Sequence, residues 1–322
     1  MYLGIDLGGS GTRAVLVDGN GQLLATGQGG PSGHLGGPAG RRLLGRALDA
    51  TLAPIAPLIH GAKSCVIHAG TTGLSIPGRG ESLFLEFSRR FPGADVRVSN
   101  DALIALWGGL AGRQGVAVLA GTGSIALARA ADGREARSGG WGYLLGDEGG
   151  GYWLGRQAIT AYLRWLEGRG GPSALFDLVE AAIGRVSTVS EVIAWLNATA
   201  SHVSRLASLA PLVSQAAATG DAQAIAILDR AGQALAELAV SAACQLWPAG
   251  LTDGLAVACC GGVWAAGRVL EAPFAAALQD GLPNATVSPP QLSPVAGAVL
   301  LAMGASTAPV PQVVLDRLKR IR

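Results

Sequence analysis

Two glycine-rich turns and two carboxylates supply the residues of this chain best suited to chemistry. The first turn lies in Ile5-Asp6-Leu7-Gly8-Gly9-Ser10-Gly11-Thr12-Arg13-Ala14-Val15-Leu16-Val17-Asp18-Gly19. The second lies in Val118-Leu119-Ala120-Gly121-Thr122-Gly123-Ser124-Ile125-Ala126-Leu127-Ala128-Arg129-Ala130-Ala131-Asp132-Gly133. Each reads strand, Gly/Ser/Thr turn, strand, then an Asp-Gly turn. Glycine brings backbone N–H groups close to a ligand, and Ser and Thr hydroxyls donate to phosphate oxygens. Two such turns suit a phosphate chain held from two sides, hence phosphoryl transfer. Asp6, at a strand end facing the first turn, is placed to hold Mg²⁺ through water. Asp101 follows Asn100 at the end of the strand Val96–Ser99, and a helix over Ala102–Gly112 would present it rigidly. Such a carboxylate can accept a proton from a poor hydroxyl nucleophile; Asn100-Asp101 can equally be a helix cap.

Context excludes two nucleotide motifs. Gly9-Ser10-Gly11-Thr12-Arg13-Ala14 fits G-x-G-x-x-A, but that fingerprint must open a helix, and here a β-type run follows. No Gly-Lys-Ser/Thr occurs, so there is no Walker A loop.

The elements that position these residues come as strand meanders followed by helices, twice. Tyr2–Asp6, Arg13–Val17 and Gln22–Thr26 read as strands, Gly27–Gly40 as a loop and Arg41–Ile59 as a helix. Ser64–Ala69 reads as a buried strand and Leu83–Phe91 as a short helix. The meander restarts at Val116. Gly151–Leu246 is mostly helical, with breaks near Gly168–Pro172 and Ala218–Asp221. A strand at Leu255–Cys259 leads through Gly261-Gly262 into a helix from Val263, and Ser293–Ala302 reads as another. This predicts two α/β domains of related topology, residues 1–112 and 113–322, with the last helix expected to pack back on the first.

At 322 residues the chain can bury two cores, and a net charge of +2 with 14% charged residues gives no basic surface for nucleic acid. Apolar runs such as Val295–Met303 fall short of the roughly 20 residues of a spanning helix. The start lacks a basic leader region, and the four cysteines form no C-x-x-C pair, which together predict a reducing, cytoplasmic setting. The helical faces of 151–246 suit a homodimer interface and core packing equally.

Five segments together resemble a known family: Gly4-Ile5-Asp6-Leu7-Gly8-Gly9-Ser10-Gly11-Thr12, Ser99-Asn100-Asp101-Ala102, Gly121-Thr122-Gly123-Ser124, Gly139-Gly140-Trp141-Gly142-Tyr143-Leu144-Leu145-Gly146-Asp147-Glu148-Gly149, and Cys260-Gly261-Gly262-Val263-Trp264. In order and spacing the chain resembles the N-acetylglucosamine kinase and BadF/BadG/BcrA/BcrD ATPase family of the sugar kinase/Hsp70/actin superfamily. The resemblance implies two duplicated ribonuclease-H-like (actin-like ATPase) domains with a nucleotide cleft between them, and transfer from ATP, with Mg²⁺, to the 6-hydroxyl of an amino sugar such as N-acetylglucosamine. It implies Asp101 as general base. Gly9, Ser10, Gly11, Thr12, Thr122 and Gly123 would face the phosphates, and Gly262 and Ala266 the adenosine. Gly140, Trp141, Gly142 and Asp147 would line the sugar pocket. Ser10 stands where the family usually has Thr. Gly33 stands where kinases acting on N-acetylglucosamine carry Asn, with Ser32 and His34 beside it as substitutes. Glucosamine kinase is the nearest alternative. A BadF-type activator of a dehydratase is the more distant one, since its iron–sulphur cluster needs paired thiolates.

Overall fold

The computed structural model describes residues 1–9, 11–32, 37–60, 64–74, 77–184, 186, 188–198, 201–248, 254–305 and 310–321. The chain divides into two compact units. Unit 1 gathers Met1–Ala117, Arg129–Gly133 and Pro289–Arg322; unit 2 gathers Val118–Ala128 and Arg134–Ser288.

The first stretch of unit 1 runs β1 (Tyr2–Leu7), β2 (Thr12–Val17), β3 (Leu23–Gly29), α1 (Gly37–Leu52), α2 (Ala56–His60), β4 (Val66–Thr71), α3 (Arg79–Arg90), β5 (Asp95–Asn100) and α4 (Asp101–Gly109). Unit 2 carries the second half of β6 (Gly115–Ala120) and most of β7 (Ser124–Arg129), then β8 (Glu135–Gly139), α5 (Gly151–Leu166), α6 (Ala174–Ile183), α7 (Val189–Asn197), α8 (His202–Ala207), α9 (Ala210–Ala218), α10 (Ala222–Leu246), β9 (Leu255–Cys260), a 3₁₀ turn (Gly262–Ala266), α11 (Arg268–Gly281) and β10 (Ala285–Ser288). The chain then returns to unit 1 with α12 (Pro294–Ala302) and α13 (Gln312–Leu318).

The first sheet has the order β3-β2-β1-β4-β5 and the second β10-β9-β6-β7-β8. Counted from its first strand, each is a three-strand meander with two later strands added on the other side. The duplicated meander predicted from the glycine turns is therefore a duplicated sheet. In the first sheet β1 runs antiparallel to β2 and parallel to β4, which is parallel to β5.

Side-chain alternation splits unit 1 into two layers. Leu3, Ile5, Leu7, Ile67, Ala69 and Val96 join Leu48, Leu52, Leu83 and Phe87 in one core. The opposite face of β1 meets α12, because a Cβ on Gly4 would lie 2.6 Å from Val295 O and Val299 N. The opposite face of β4 meets α4, where Gly70 lies under Ile104. Asp6, Gly70 and Ser99 are in register across three parallel strands and lie on that second face. The fold thus brings Asp6 and the β5–α4 junction that carries Asp101 to the same end of the sheet.

Three expectations change. The strand before the presumed loop continues through Gly27 and Gly29, because α1 packs backbone to backbone on it; a Cβ on Gly27 would sit 1.7 Å from Thr51 O. The glycines mark close approach rather than a loop. The helix read from Val263 is a 3₁₀ turn that breaks at Gly267, with φ 63°, before α11 begins. The helical half divides further than read, at Gly184 and near Ala198.

Candidate active site

The site in unit 1 is built on the ends of β1, β4 and β5. At the first turn Gly8 N–H donates to Gly11 O (3.0 Å), and the Gly8 carbonyl accepts from both the N–H and the hydroxyl of Ser32 (3.2 and 3.1 Å). Gly9 is exposed and Gly11 half-buried. Thr12 is buried and its hydroxyl donates to Gly30 O at 3.0 Å. Its single hydrogen is committed to shaping the turn, which changes the role read for it as a phosphate donor. Ser10, Gly33 and His34 lie outside the described residues.

Of the two residues that the sequence left open as a cap, the structure gives capping to Asn100. The Asn100 carboxamide oxygen accepts from Leu103 N–H at 2.7 Å and is the cap of α4. Asp101 is the first residue of that helix, half-buried, where the helix N-terminus favours negative charge. Capping therefore does not account for Asp101.

Its neighbours are charged. Burial, then the charge of Asp101, push the Asp6 carboxyl up to about 6, against a smaller opposite pull from Arg13. Arg79, at the start of α3, feels the same Asp101 charge, and its guanidinium reaches Thr71 Oγ1 at 3.4 Å through both Nε and Nη2. Nothing in the spacing of the sequence marked Arg79, because its approach to Asp101 depends on how α3 returns to the sheet. A carboxylate that is costly to ionise and lies beside a second one fits a hard divalent cation, and oxygen donors of this kind suit Mg²⁺.

Asp6 makes a pH-dependent prediction. An acid raised in the folded chain costs stability as it ionises. The loss begins above its ordinary value of 3.8 and is complete above about 6. Two units correspond to about 3 kcal/mol. Nucleotide-free Asp6→Asn should therefore be more stable than the native chain by about 2–3 kcal/mol at pH 8, with the gap closing by pH 4. Urea melts at both pH values measure this, and a pH-independent gap would contradict it.

In unit 2 the second turn and the Gly139–Gly149 loop are one construction. Gly121 N–H donates to Gly123 O (2.9 Å), and α5 starts by donating Gly151 and Tyr152 N–H groups to the Gly121 and Thr122 carbonyls (2.8 and 2.9 Å). Asp147 reaches back to this turn, accepting from Ser124 N–H at 3.2 Å; Ser124 Oγ donates to Glu148 O at 2.7 Å. A Cβ on Gly123 would lie 2.4 Å from Asp147 Oδ2, so only glycine admits the carboxylate there. Asp147 takes φ 64°, a left-handed conformation that Asp tolerates better than most residues. Burial raises its pKa, Ser124 opposes the rise, and Glu148 adds to it. The cap of α5 is Gly150, with no side-chain bond, so Asp147 is not a helix cap.

Gly139, Gly140 and Gly142 have φ of 72°, 69° and 87°. They turn the loop so that Trp141 is 66% exposed, too open for core packing, with Leu144 and Leu145 exposed beside it. Thr122 is exposed at the turn itself. Tyr143 is held by the rings of Tyr152 and His202, at centroid distances of 5.0 and 5.8 Å. The Asp147 brace and the Tyr143 cluster escaped the sequence reading because their partners are remote in the chain.

At the end of β9, Gly261 takes φ 103°, and a Cβ there would lie 2.4 Å from Ala120 O on β6. Gly262 is exposed, with open space where its Cβ would be, and Ala266 is half-buried. Trp264 anchors the turn, donating Nε1–H to Val118 O at 3.2 Å. Cys259 and Cys260 are buried on β9, and burial pushes the Cys260 thiol up to about 12. A thiol in that state is a core residue rather than a thiolate ligand.

The model of the BadF/BadG/BcrA/BcrD ATPase family matches residues 3–302. The chain belongs to this family. An N-acetylmuramic acid/N-acetylglucosamine kinase of Clostridium acetobutylicum is 39% identical over 139 residues, 43% of this chain and 45% of that protein. The aligned part thus spans less than half the length of that relative. An N-acetyl-D-glucosamine kinase of Dictyostelium discoideum is 27% identical over 315 residues, 94% of this chain and 98% of that one. The crystal structure of a candidate N-acetylglucosamine kinase from Chromobacterium violaceum, 33% identical, superimposes with a TM-score of 0.72 over 94% of this chain and 98% of the other. Both the fold and the kinase side of the family are therefore shared, and the chain is a sugar-kinase-type phosphotransferase. Among the described residues no helix is long and apolar enough to cross a membrane.

Proposed function

We propose that the chain transfers the γ-phosphoryl group of ATP to the 6-hydroxyl of N-acetylglucosamine, with glucosamine as the nearest alternative acceptor. The observation that carries the assignment of roles is the division of labour at the β5–α4 junction, where Asn100 caps the helix and leaves a half-buried Asp101 on its first turn. Asp101 accepts the hydroxyl proton as the O–P bond forms and the bond to the ADP oxygen breaks. The exposed Thr122 hydroxyl and the backbone of the two glycine turns donate to the phosphates. Asp6 is the residue that would hold Mg²⁺, which when bound screens the phosphate charge. Trp141 and the glycines around it form the sugar-binding wall, Asp147 holds that wall to the second turn, and Gly262 and Ala266 leave room for the base. A cytoplasmic setting, where ATP is supplied and thiols stay reduced, is part of this reading.

The experiment that tests this is an ATP-coupled screen of N-acetylglucosamine, glucosamine, N-acetylmannosamine, N-acetylmuramic acid and glucose. N-acetylglucosamine should give the highest kcat/KM, with the product phosphorylated at O6 by NMR. Absence of turnover with every sugar would overturn the proposal, and preference for glucosamine would move it to the alternative.

Asp147→Gly tests the wall. Glycine accepts the left-handed backbone, so only the carboxylate is lost. One hydrogen bond to a charged group is worth about 1.5–3 kcal/mol, and the sugar KM should rise at least about tenfold at saturating ATP. An unchanged sugar KM would take the loop out of sugar binding.

A further inference from the structure

His68 is the buried titratable group for which the proposed reaction has no use. It lies in the middle of β4, 7% exposed, on the sheet face that carries Asp6, Gly70 and Ser99. Ser99 is in register with Gly70, and His68 is two residues earlier on the same face, so the two side chains meet diagonally across neighbouring strands. His68 Nε2 lies 3.0 Å from Ser99 Oγ. The Ser99 hydroxyl in turn donates to Asn100 O at 3.1 Å. Asn100 is the cap that sets the start of α4, and Asp101 is the next residue.

The hydrogen count fixes the direction of this chain. Ser99 has one hydrogen, and with it on the Asn100 carbonyl the donor to Ser99 Oγ is Nε2–H of His68. Nδ1 is then a bare acceptor. It is buried and has no hydrogen-bond partner among the described residues. Burial, and then the Arg97 charge, hold the ring at about 4, well below its usual value, so it is neutral at physiological pH. A buried polar atom without a partner costs stability, and an apolar residue would fill the position more favourably. Stability therefore does not explain a histidine here. What the ring does supply is a donor that immobilises Ser99 at the strand end from which Asp101 projects.

We propose that His68 is a positioning residue: through Ser99 it fixes the Asn100 carbonyl at the β5–α4 junction and so aims the Asp101 carboxylate. The inference rests on Asp101 being the base. The two strands hold His68 and Ser99 in place whether or not substrate is bound, so the aim is set before the sugar arrives, which is where pre-organisation contributes to rate.

Steady-state kinetics and thermal melts of the full chain test it. His68→Leu should lower kcat about tenfold with the KM for sugar and for ATP unchanged, while Tm stays the same or rises. Ser99→Ala should lower kcat similarly, and the double variant should be no slower than either single one, because both break one relay. His68→Gln, whose amide N–H can occupy the place of Nε2–H, should recover at least half of the native kcat. A native kcat in His68→Leu overturns the proposal, as does a kcat loss that tracks a fall in Tm, or a failure of glutamine to rescue. These outcomes are separable from the fate of the base assignment. If Asp101→Asn retains turnover, that assignment fails; if Asp101→Asn is inactive while His68→Leu is normal, only the positioning role fails.

Discussion

Asp101→Asn is expected to lower kcat by about a thousandfold while leaving the fold and ATP binding intact. General base catalysis contributes about 10²–10⁴ to rate, and asparagine keeps the shape of the side chain but cannot take the proton. The junction itself should survive, because the cap of α4 is Asn100, not Asp101. The lost negative charge in the first helical turn costs about 0.3–1 kcal/mol, and removing it takes an attraction from Arg79 but also a repulsion from Asp6, which offset each other in part. The sugar KM should change by less than about threefold, since the substitution removes an interaction that matters mainly as the new bond forms. A coupled assay for ADP gives kcat and KM, and titration calorimetry gives ATP affinity separately. A variant within tenfold of native kcat would remove Asp101 from the mechanism; one that also loses ATP binding would place its charge among the groups that organise the nucleotide.

The parts of this arrangement that were legible in the sequence are those fixed within a few residues. Glycine turns between β-type runs announced both hairpins, because turn chemistry and alternation are local. The strand-end position of Asp101 was legible for the same reason. The exposure of Trp141 was legible from its glycine neighbours, three of which do take left-handed backbone. What could not be read is where polar hydrogens go. Thr12 and Ser124 both look like phosphate donors in a Gly/Ser/Thr turn. In the fold, Thr12 Oγ1 donates to Gly30 O and Ser124 Oγ to Glu148 O, partners 18 and 24 residues away. Arg79 and His68 were silent in the sequence because a single cation or imidazole has meaning only beside Asp101 or Ser99, and the sheet makes those pairings. Gly27 and Gly29 show the converse error, where a composition that reads as loop is the surface on which α1 lies.

The second large expected effect concerns the helix that carries Asp101 rather than Asp101 itself. Gly297→Val should abolish folding of unit 1 or destabilise it by at least about 4 kcal/mol. A Cβ at position 297 of α12 would sit 2.0 Å from Ile104 O and 2.5 Å from Gly108 N, both backbone atoms of α4. From the other side, a Cβ on Gly108 would lie 2.5 Å from Ser293 O, so the helices touch main chain to main chain with glycine on both surfaces. Overpacking a core that can adjust its side chains typically costs about 1–3 kcal/mol. Here no side chain stands between the two backbones to give way, so α4 or α12 must move bodily. Neither is free to do so, because α12 also rests on Gly4 of β1 and α4 on Gly70 of β4. The comparison is Gly19→Ala, where a Cβ would meet nothing within 4 Å and stability should be unchanged to within about 0.5 kcal/mol. Thermal and urea melts of both variants measure the difference. A Gly297→Val protein melting within a few degrees of native would mean that the α4–α12 crossing is looser than its backbone contacts require. The route by which residues near 297 hold the element that starts at Asp101 would then have to lie elsewhere. If the crossing is as tight as drawn, the milder Gly297→Ala should still displace α4 and lower kcat without changing a single group at the site, separating the placement of the carboxylate from its chemistry.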